Sequence, residues 1–194
     1  WQRGRTRREL SRFLVTRGLW LVLLELTVMR VAYNFSLSTE YPLMLIVLWV
    51  LGLCMVCLAA IVWVPMSAVA VLSVATIALH NLLDPIRAGQ LGAFSWLWFL
   101  LHQVGAFPVP GTVAIVGYPL IPWAAVMALG FAIGPWFAPL RQVPAEAGTH
   151  ERLMLAGLAA TALFIALRAV NGYGDPSHWA HQAKPFFTLL SFLN

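Results

Sequence analysis

Charge is what this sequence has least of. Residues 41–83 hold no Asp, Glu, Lys or Arg, and across the 194 residues only 10% are charged against 61% hydrophobic. A soluble domain carries about 25% charged residues, so an ordinary water-soluble fold is excluded and a polytopic membrane protein is indicated, in line with a mean hydropathy of +0.82. Cysteine is nearly absent as well. The two present, Cys54 and Cys57, lie mid-way along an apolar segment without a second Cys or His pair beside them. That spacing gives no disulfide framework or zinc site, and packing as small buried hydrophobes is the better reading. No His/Cys/carboxylate spacing matches a metal-ligand set, so no metal is expected. Phosphate-binding glycine loops of the P-loop or Rossmann kind are missing, and no internal repeat is visible.

The charge that is present is unevenly placed. Six arginines (Arg3, Arg5, Arg7, Arg8, Arg12 and Arg17) crowd the first 17 residues, directly before an apolar run. This is the positive-inside pattern of a cytoplasmic flank rather than a nucleic-acid footprint. The following apolar segment is too long for a signal peptide and contains Glu25 and Arg30. The chain starts on Trp1, and residues 186–194 open a new apolar run, so it reads as an internal piece of a longer protein, one transmembrane domain over 1–194.

A spanning helix needs about 20 apolar residues. The expectation is an all-α, polytopic transmembrane bundle with five full spans at 13–35, 43–64, 67–83, 112–137 and 153–170, plus a truncated last helix at 186–194. Residues 91–105 are aromatic and too short to span, which suggests an interfacial or re-entrant segment. Arg17 can snorkel to the headgroups. Glu25, near mid-depth, and Arg30 are too far apart around the helix to pair. Each should find a partner on another helix, Glu25 serving helix–helix register. Prolines and glycines in 112–137 imply a kinked, closely packed helix.

With the basic end inside, one side of the scaffold gathers Arg30, Tyr33, Asn34, His80, Asn81, Asp84, Arg87, His102, Asn171, Asp175, His178 and His181. His80 and Asp84, at i and i+4, would share a helix face just ahead of Pro85, which ends the helix. Two readings stand side by side. One is a satisfied pair closing a helix. The other is a proton-handling site, since histidine titrates near neutral pH and a neighbouring carboxylate can orient it as a base. No Ser or Cys adjoins the pair, so a hydrolase triad has no support. Candidate catalytic residues are therefore His80 and Asp84, with Arg30, Asn34, Asn81, His102, Asn171 and Asp175 as pocket-lining candidates. The stretch 171–176 also reads as a turn, through its glycines and proline. A transporter whose path is lined by Glu25 and Arg30, or a non-catalytic membrane subunit, is the alternative.

Several strings, taken together, carry a resemblance: R-R-E-L-S-R-F-L-V-T-R-G-L-W-L-V-L-L-E-L-T-V (7–28), H-N-L-L-D (80–84), Y-P-L-I-P-W (118–123), M-A-L-G (127–130), G-P-W-F (134–137), L-R-A-V-N-G-Y-G-D-P (167–176) and L-L-S-F-L-N (189–194). Their content and order resemble the bacterial membrane proteins grouped with the catalytic domain of heparan-alpha-glucosaminide N-acetyltransferase. The resemblance implies a multi-helix acyltransferase of the bacterial cytoplasmic membrane. Acetyl-CoA or another acyl-CoA would be the donor, and a saccharide or cell-envelope amine or hydroxyl the acceptor. The partners would be the lipid bilayer and that acceptor, with no nucleic acid; oligomeric state is left open. The histidine assigned to catalysis in the family precedes the arginine-rich segment, so it is carried onto no position here.

Overall fold

The structure, a computed structural model, describes residues 6–36, 38, 40–135, 148–172 and 178–193. It divides into two units, Trp1–Ile133 and Gly134–Asn194.

The first unit is built on one long helix. Its start is set by Thr6, whose hydroxyl accepts from the Glu9 amide while the Glu9 carboxylate accepts from the Thr6 amide at 2.8 Å. This capping box starts α1 (Arg7–Leu24) among the arginines, ahead of the apolar run. α1 passes through a π-helical turn, Glu25–Met29, into α2 (Arg30–Asn34), and Phe35 ends it in the left-handed conformation at φ 50°.

Against this helix packs α3 (Val47–Ile61), running antiparallel. The seam uses α1 positions seven residues apart, which lie on one face two turns from each other. The Ser11 hydroxyl donates to the Ala59 carbonyl at 2.7 Å. One step on, Gly18 meets Gly52, so closely that a Cβ added to either would collide with the other's carbonyl oxygen. A further step on, Glu25 reaches the first turn of α3. Small residues at such a crossing let backbones approach and gain packing where lipid offers no hydrophobic drive. Because the obstacle is backbone, Gly18→Ala is expected to destabilise the unit by about 1–3 kcal/mol. Gly130, with nothing within 4 Å of its Cβ position, is the control, and Gly130→Ala should be neutral or slightly stabilising. Thermal unfolding of the two purified variants checks this.

α4 (Met66–Leu79) and α6 (Leu120–Ile133) close the core: Leu14, Leu58, Val62, Val69, Ala128 and Ala132 are buried together. The alanines of α6 admit its neighbours closely. A small sheet, which departs from the all-α expectation, packs with α3, α6 and the shorter α5 (Ser95–Leu101). β1 (Leu43–Leu45) pairs in parallel with β3 (Thr112–Val116), and β2 (Gly105–Val109) lies antiparallel on the other side, in the order β1-β3-β2. Residues 43–45 and 112–116 were expected inside spans. They are strands because Thr-Val-Ala-Ile-Val is a β-branched run following Pro110-Gly111, where Gly111 at φ 81° makes the turn. Pro108 is tolerated because β2 is an edge strand. Ala114 and Val116 are buried, at 1% and 0% exposure, and join Leu45, Trp49, Val50 and Cys54 in a second core cluster.

Among the described residues two helices, Met66–Leu83 and His150–Val170, are long and apolar enough to cross a membrane; Val47–Ile61, Ala88–Leu101 and Leu120–Ile133 are apolar but shorter. The described residues are thus mostly helical, and two of the five full spans expected are matched by helices of spanning length. The second unit consists of α7 (Thr149–Val170) and α8 (Pro185–Leu193).

Candidate functional site

At its end α4 tightens into a 3₁₀ turn, His80–Leu83, with Asp84 as its C-cap. Three residues per turn bring i and i+3, not i and i+4, onto one line. The Asn81 amide accordingly donates to Asp84 Oδ2 at 3.1 Å, and the expected His80–Asp84 pairing does not form. Instead His80 Nδ1 lies 2.9 Å from the Ile77 carbonyl. A carbonyl can only accept, so Nδ1 carries the proton and Nε2 holds the lone pair. His80 is half-buried, and its Nε2 makes no hydrogen bond among the described residues.

The partner of Asp84 is His102, which follows α5. Its Nε2 lies 3.0 Å from Asp84 Oδ1. The His102 side chain is 4% exposed and that of Asp84 38%, so the carboxylate links a buried imidazole to solvent. His102 Nδ1 is buried without a partner among the described residues. The His80 ring stands edge-on to His102, with centroids 6.1 Å apart. The Trp98 ring also packs on His102, with centroids 5.1 Å apart. Two bonds hold the intervening loop against α5 and the residues just after it: Trp98 Nε1 donates to the Ile86 carbonyl and the Ala88 amide to Gln103 Oε1, each at 2.9 Å; within the loop the Arg87 amide donates to Gln90 Oε1 at 2.9 Å. The arrangement is a histidine with a fixed tautomer beside an anchored Asp–His pair. Such a group can take a proton and have the resulting charge offset by a nearby carboxylate.

Arg30 and Asn34 lie elsewhere, at the end of the long helix. Arg30 was expected to find a partner on another helix, but its Nη2 donates to the Ser38 carbonyl at 3.0 Å and, at 3.5 Å, to that of Tyr41, both in the loop that follows. Arg30 Nε and Asn34 Nδ2 are buried without partners among the described residues. Glu25 does find its partner on another helix, as expected of a register residue: Oε2 accepts from the amides of Leu48 at 2.8 Å and Trp49 at 3.2 Å.

In the second unit, Asn171 ends α7 at φ 51°. Its amide nitrogen donates to the Trp179 carbonyl at 2.9 Å, and its oxygen accepts from the Trp179 amide at 3.0 Å. Both ends of the side chain are thus used to dock the loop. Asn171→Ala is expected to cost about 1–3 kcal/mol, through two lost hydrogen bonds and a positive φ that alanine resists. Hydrogen exchange at the Trp179 amide, faster in the variant, checks it. Asp175 lies outside the described residues.

A cavity of about 360 Å³ opens between α3, α4 and α6, lined by Cys57, Leu72, Ser73, Thr76, Leu120 and Ala124 among others. It is apolar, and none of the polar residues above lines it.

A model of the family described as heparan-alpha-glucosaminide N-acetyltransferase, catalytic, matches residues 2–168. The chain belongs to this family. The match takes in α1 to α6 and most of α7, and with them the entire His80–Asp84–His102 group. Neither a curated protein nor a solved structure matches the chain. Sequence reasoning singled out His80 and Asp84 as a pair and His102 as a lining residue but missed that Asp84 pairs with His102, and it missed Trp98 and Gln103 as supports. Their one sequence signal was the position of His102 and Gln103 at the end of the aromatic run.

Proposed function

We propose that the protein is an integral membrane acyltransferase that moves an acetyl or longer acyl group from an acyl-CoA donor to an amine or hydroxyl of a saccharide. In this reading it resides in the bacterial cytoplasmic membrane with its basic N-terminal flank in the cytoplasm, where arginine counting puts it. The family supports acyl transfer, and two apolar helices of spanning length support the membrane setting. The observation that carries the reading is His80, whose Nδ1 bond to Ile77 leaves Nε2 free as a base.

The chemistry follows from that geometry. The acceptor's nitrogen or oxygen attacks the thioester carbonyl carbon while His80 Nε2 takes its proton. The tetrahedral oxyanion collapses, the carbon–sulfur bond breaks, and the coenzyme A thiolate leaves and receives the proton from His80. Asp84, held by Asn81 and His102, offsets the charge of the transient imidazolium. These three are positioning residues, and Asp84 is more exposed than its partner His102. The transporter alternative draws no support from Glu25, whose carboxylate is taken up by the start of α3.

The test is to incubate membranes holding the full-length protein with acyl-labelled acetyl-CoA and cell-envelope saccharides. Label should appear on the saccharide in proportion to the protein present. No transfer, together with donor-independent saccharide uptake into proteoliposomes, would replace this reading with transport.

A further inference from the structure

We propose that Arg30 and Asn34 form a binding site for a phosphate-type oxyanion, supplied by the headgroup of an anionic lipid at the membrane surface. The inference does not depend on acyl transfer. Arg30 and Asn34 are four residues apart on α2, so their side chains leave the same face about 6 Å apart. Both are half-buried, and each carries a buried N–H donor, Nε of Arg30 and Nδ2 of Asn34, without an acceptor among the described residues. A buried donor without an acceptor costs about 1–3 kcal/mol, and two on one face are unusual unless something fills the place.

Charge points the same way. Among the described residues no carboxylate lies within ion-pair distance of Arg30. Two loop carbonyls hold Nη2, which fixes the guanidinium without balancing it. A planar guanidinium with a free edge matches a phosphate better than a point charge does. The C-terminal end of α2 contributes a partial negative charge of about 0.5, which is less than the full charge of Arg30 and leaves the place cationic.

Exposed aromatics adjoin the pair: Tyr33 and Phe35 flank Asn34 in the chain and the Tyr41 carbonyl accepts from Arg30, at 50%, 92% and 44% exposure. Exposed aromatics collect at the membrane–water interface, which is the depth of lipid phosphates. That rim favours a lipid over a soluble phosphate as the source. Simple snorkelling accounts for an arginine here but not for the unpartnered Asn34 amide beside it.

The experiment uses the full-length protein in nanodiscs of zwitterionic lipid, titrated with phosphatidic acid, with binding counted by native mass spectrometry. A separate arm titrates inorganic pyrophosphate. The wild type should hold one phosphatidic acid about tenfold more tightly than Arg30→Gln, with Arg30→Lys in between and Asn34→Leu weakened. Arg17→Gln should bind as the wild type does. Saturable pyrophosphate binding that both Arg30→Lys and Asn34→Leu weaken, without any effect on phosphatidic acid, supports the oxyanion site but overturns the lipid as its source. Equal binding of both probes by wild type, Arg30→Lys and Asn34→Leu overturns the site altogether. Because Arg30→Gln also loses the loop carbonyls, the Lys and Leu variants decide the matter if it fails to fold.

Discussion

Glu25→Ala is expected to destabilise the first unit by about 2–5 kcal/mol. α3 begins without a side-chain cap of its own, since the Ile46 side chain that precedes it has no acceptor atom. The first amides of a helix have no intrahelical partners. Here Glu25, from the neighbouring helix and only 2% exposed, supplies the missing acceptor to two of them. Its negative charge also faces the positive end of the helix, a favourable term of up to about 2 kcal/mol in partly buried geometry. Alanine would leave both amides without their acceptor, that of Trp49 in a buried place. Glu25→Gln keeps one acceptor oxygen at nearly the same reach but loses the charge, so roughly half the loss is expected. Opposing this, Glu25 Oε1 is buried without a partner among the described residues, and the glutamine amide would relieve part of that desolvation. The order wild type, Gln, Ala should appear in thermal unfolding of the detergent-purified protein. An alanine variant within about 0.5 kcal/mol of wild type would show that α3 does not depend on this cap.

The same residue shows how much of the fold is legible in the sequence. A lone carboxylate in an apolar helix must be satisfied by something, and that requirement is readable without a structure. Which atoms satisfy it is not, because they are main-chain amides at the start of another helix. The seam of Ser11, Gly18 and Glu25 is written in the sequence as a seven-residue spacing of small and polar residues, yet its partner face on α3 is not. The strands were hidden for a different reason. Hydropathy is equally high for a buried strand and a membrane helix, so Thr112–Val116 was absorbed into a span although its β-branched composition and the preceding Pro-Gly turn indicated a strand. The site was half legible. His80, Asn81 and Asp84 stood out as polar groups ending an apolar run, and the helix was expected to continue at 3.6 residues per turn. The shift to a 3₁₀ turn moved the partner of Asp84 from His80 to His102, 18 residues further along the chain. No periodicity encodes such a contact. The turn reading of Asn171 and its neighbours rested on local backbone chemistry, and there the structure has a left-handed helix cap.

His80→Ala is expected to lower acyl transfer by the full-length protein by about 10²–10⁴-fold, the range for losing a general base. His80 Nε2 is fixed as the acceptor by the bond from Nδ1 to Ile77, and unlike the unpartnered Nδ1 of His102 it is not buried. If His80 acts on the acceptor's proton, the loss should fall on kcat with KM nearly unchanged, because the ring holds no substrate in the ground state. Asp84→Asn should be milder. Asparagine can still accept from His102 through its oxygen, so the framework persists while the charge that offsets the imidazolium is lost. About tenfold is a reasonable measure of that change, equivalent to 1.4 kcal/mol. The two variants therefore separate proton transfer from electrostatic support, and the double variant should fall no lower than His80→Ala alone, since the carboxylate has nothing to stabilise once the base is gone. Rates measured with labelled acetyl-CoA on correctly folded protein decide it. Should His80→Ala retain full transfer while Asp84→Asn does not, the base would be a group other than His80, and the Asp84–His102 pair would shape the pocket wall rather than serve His80.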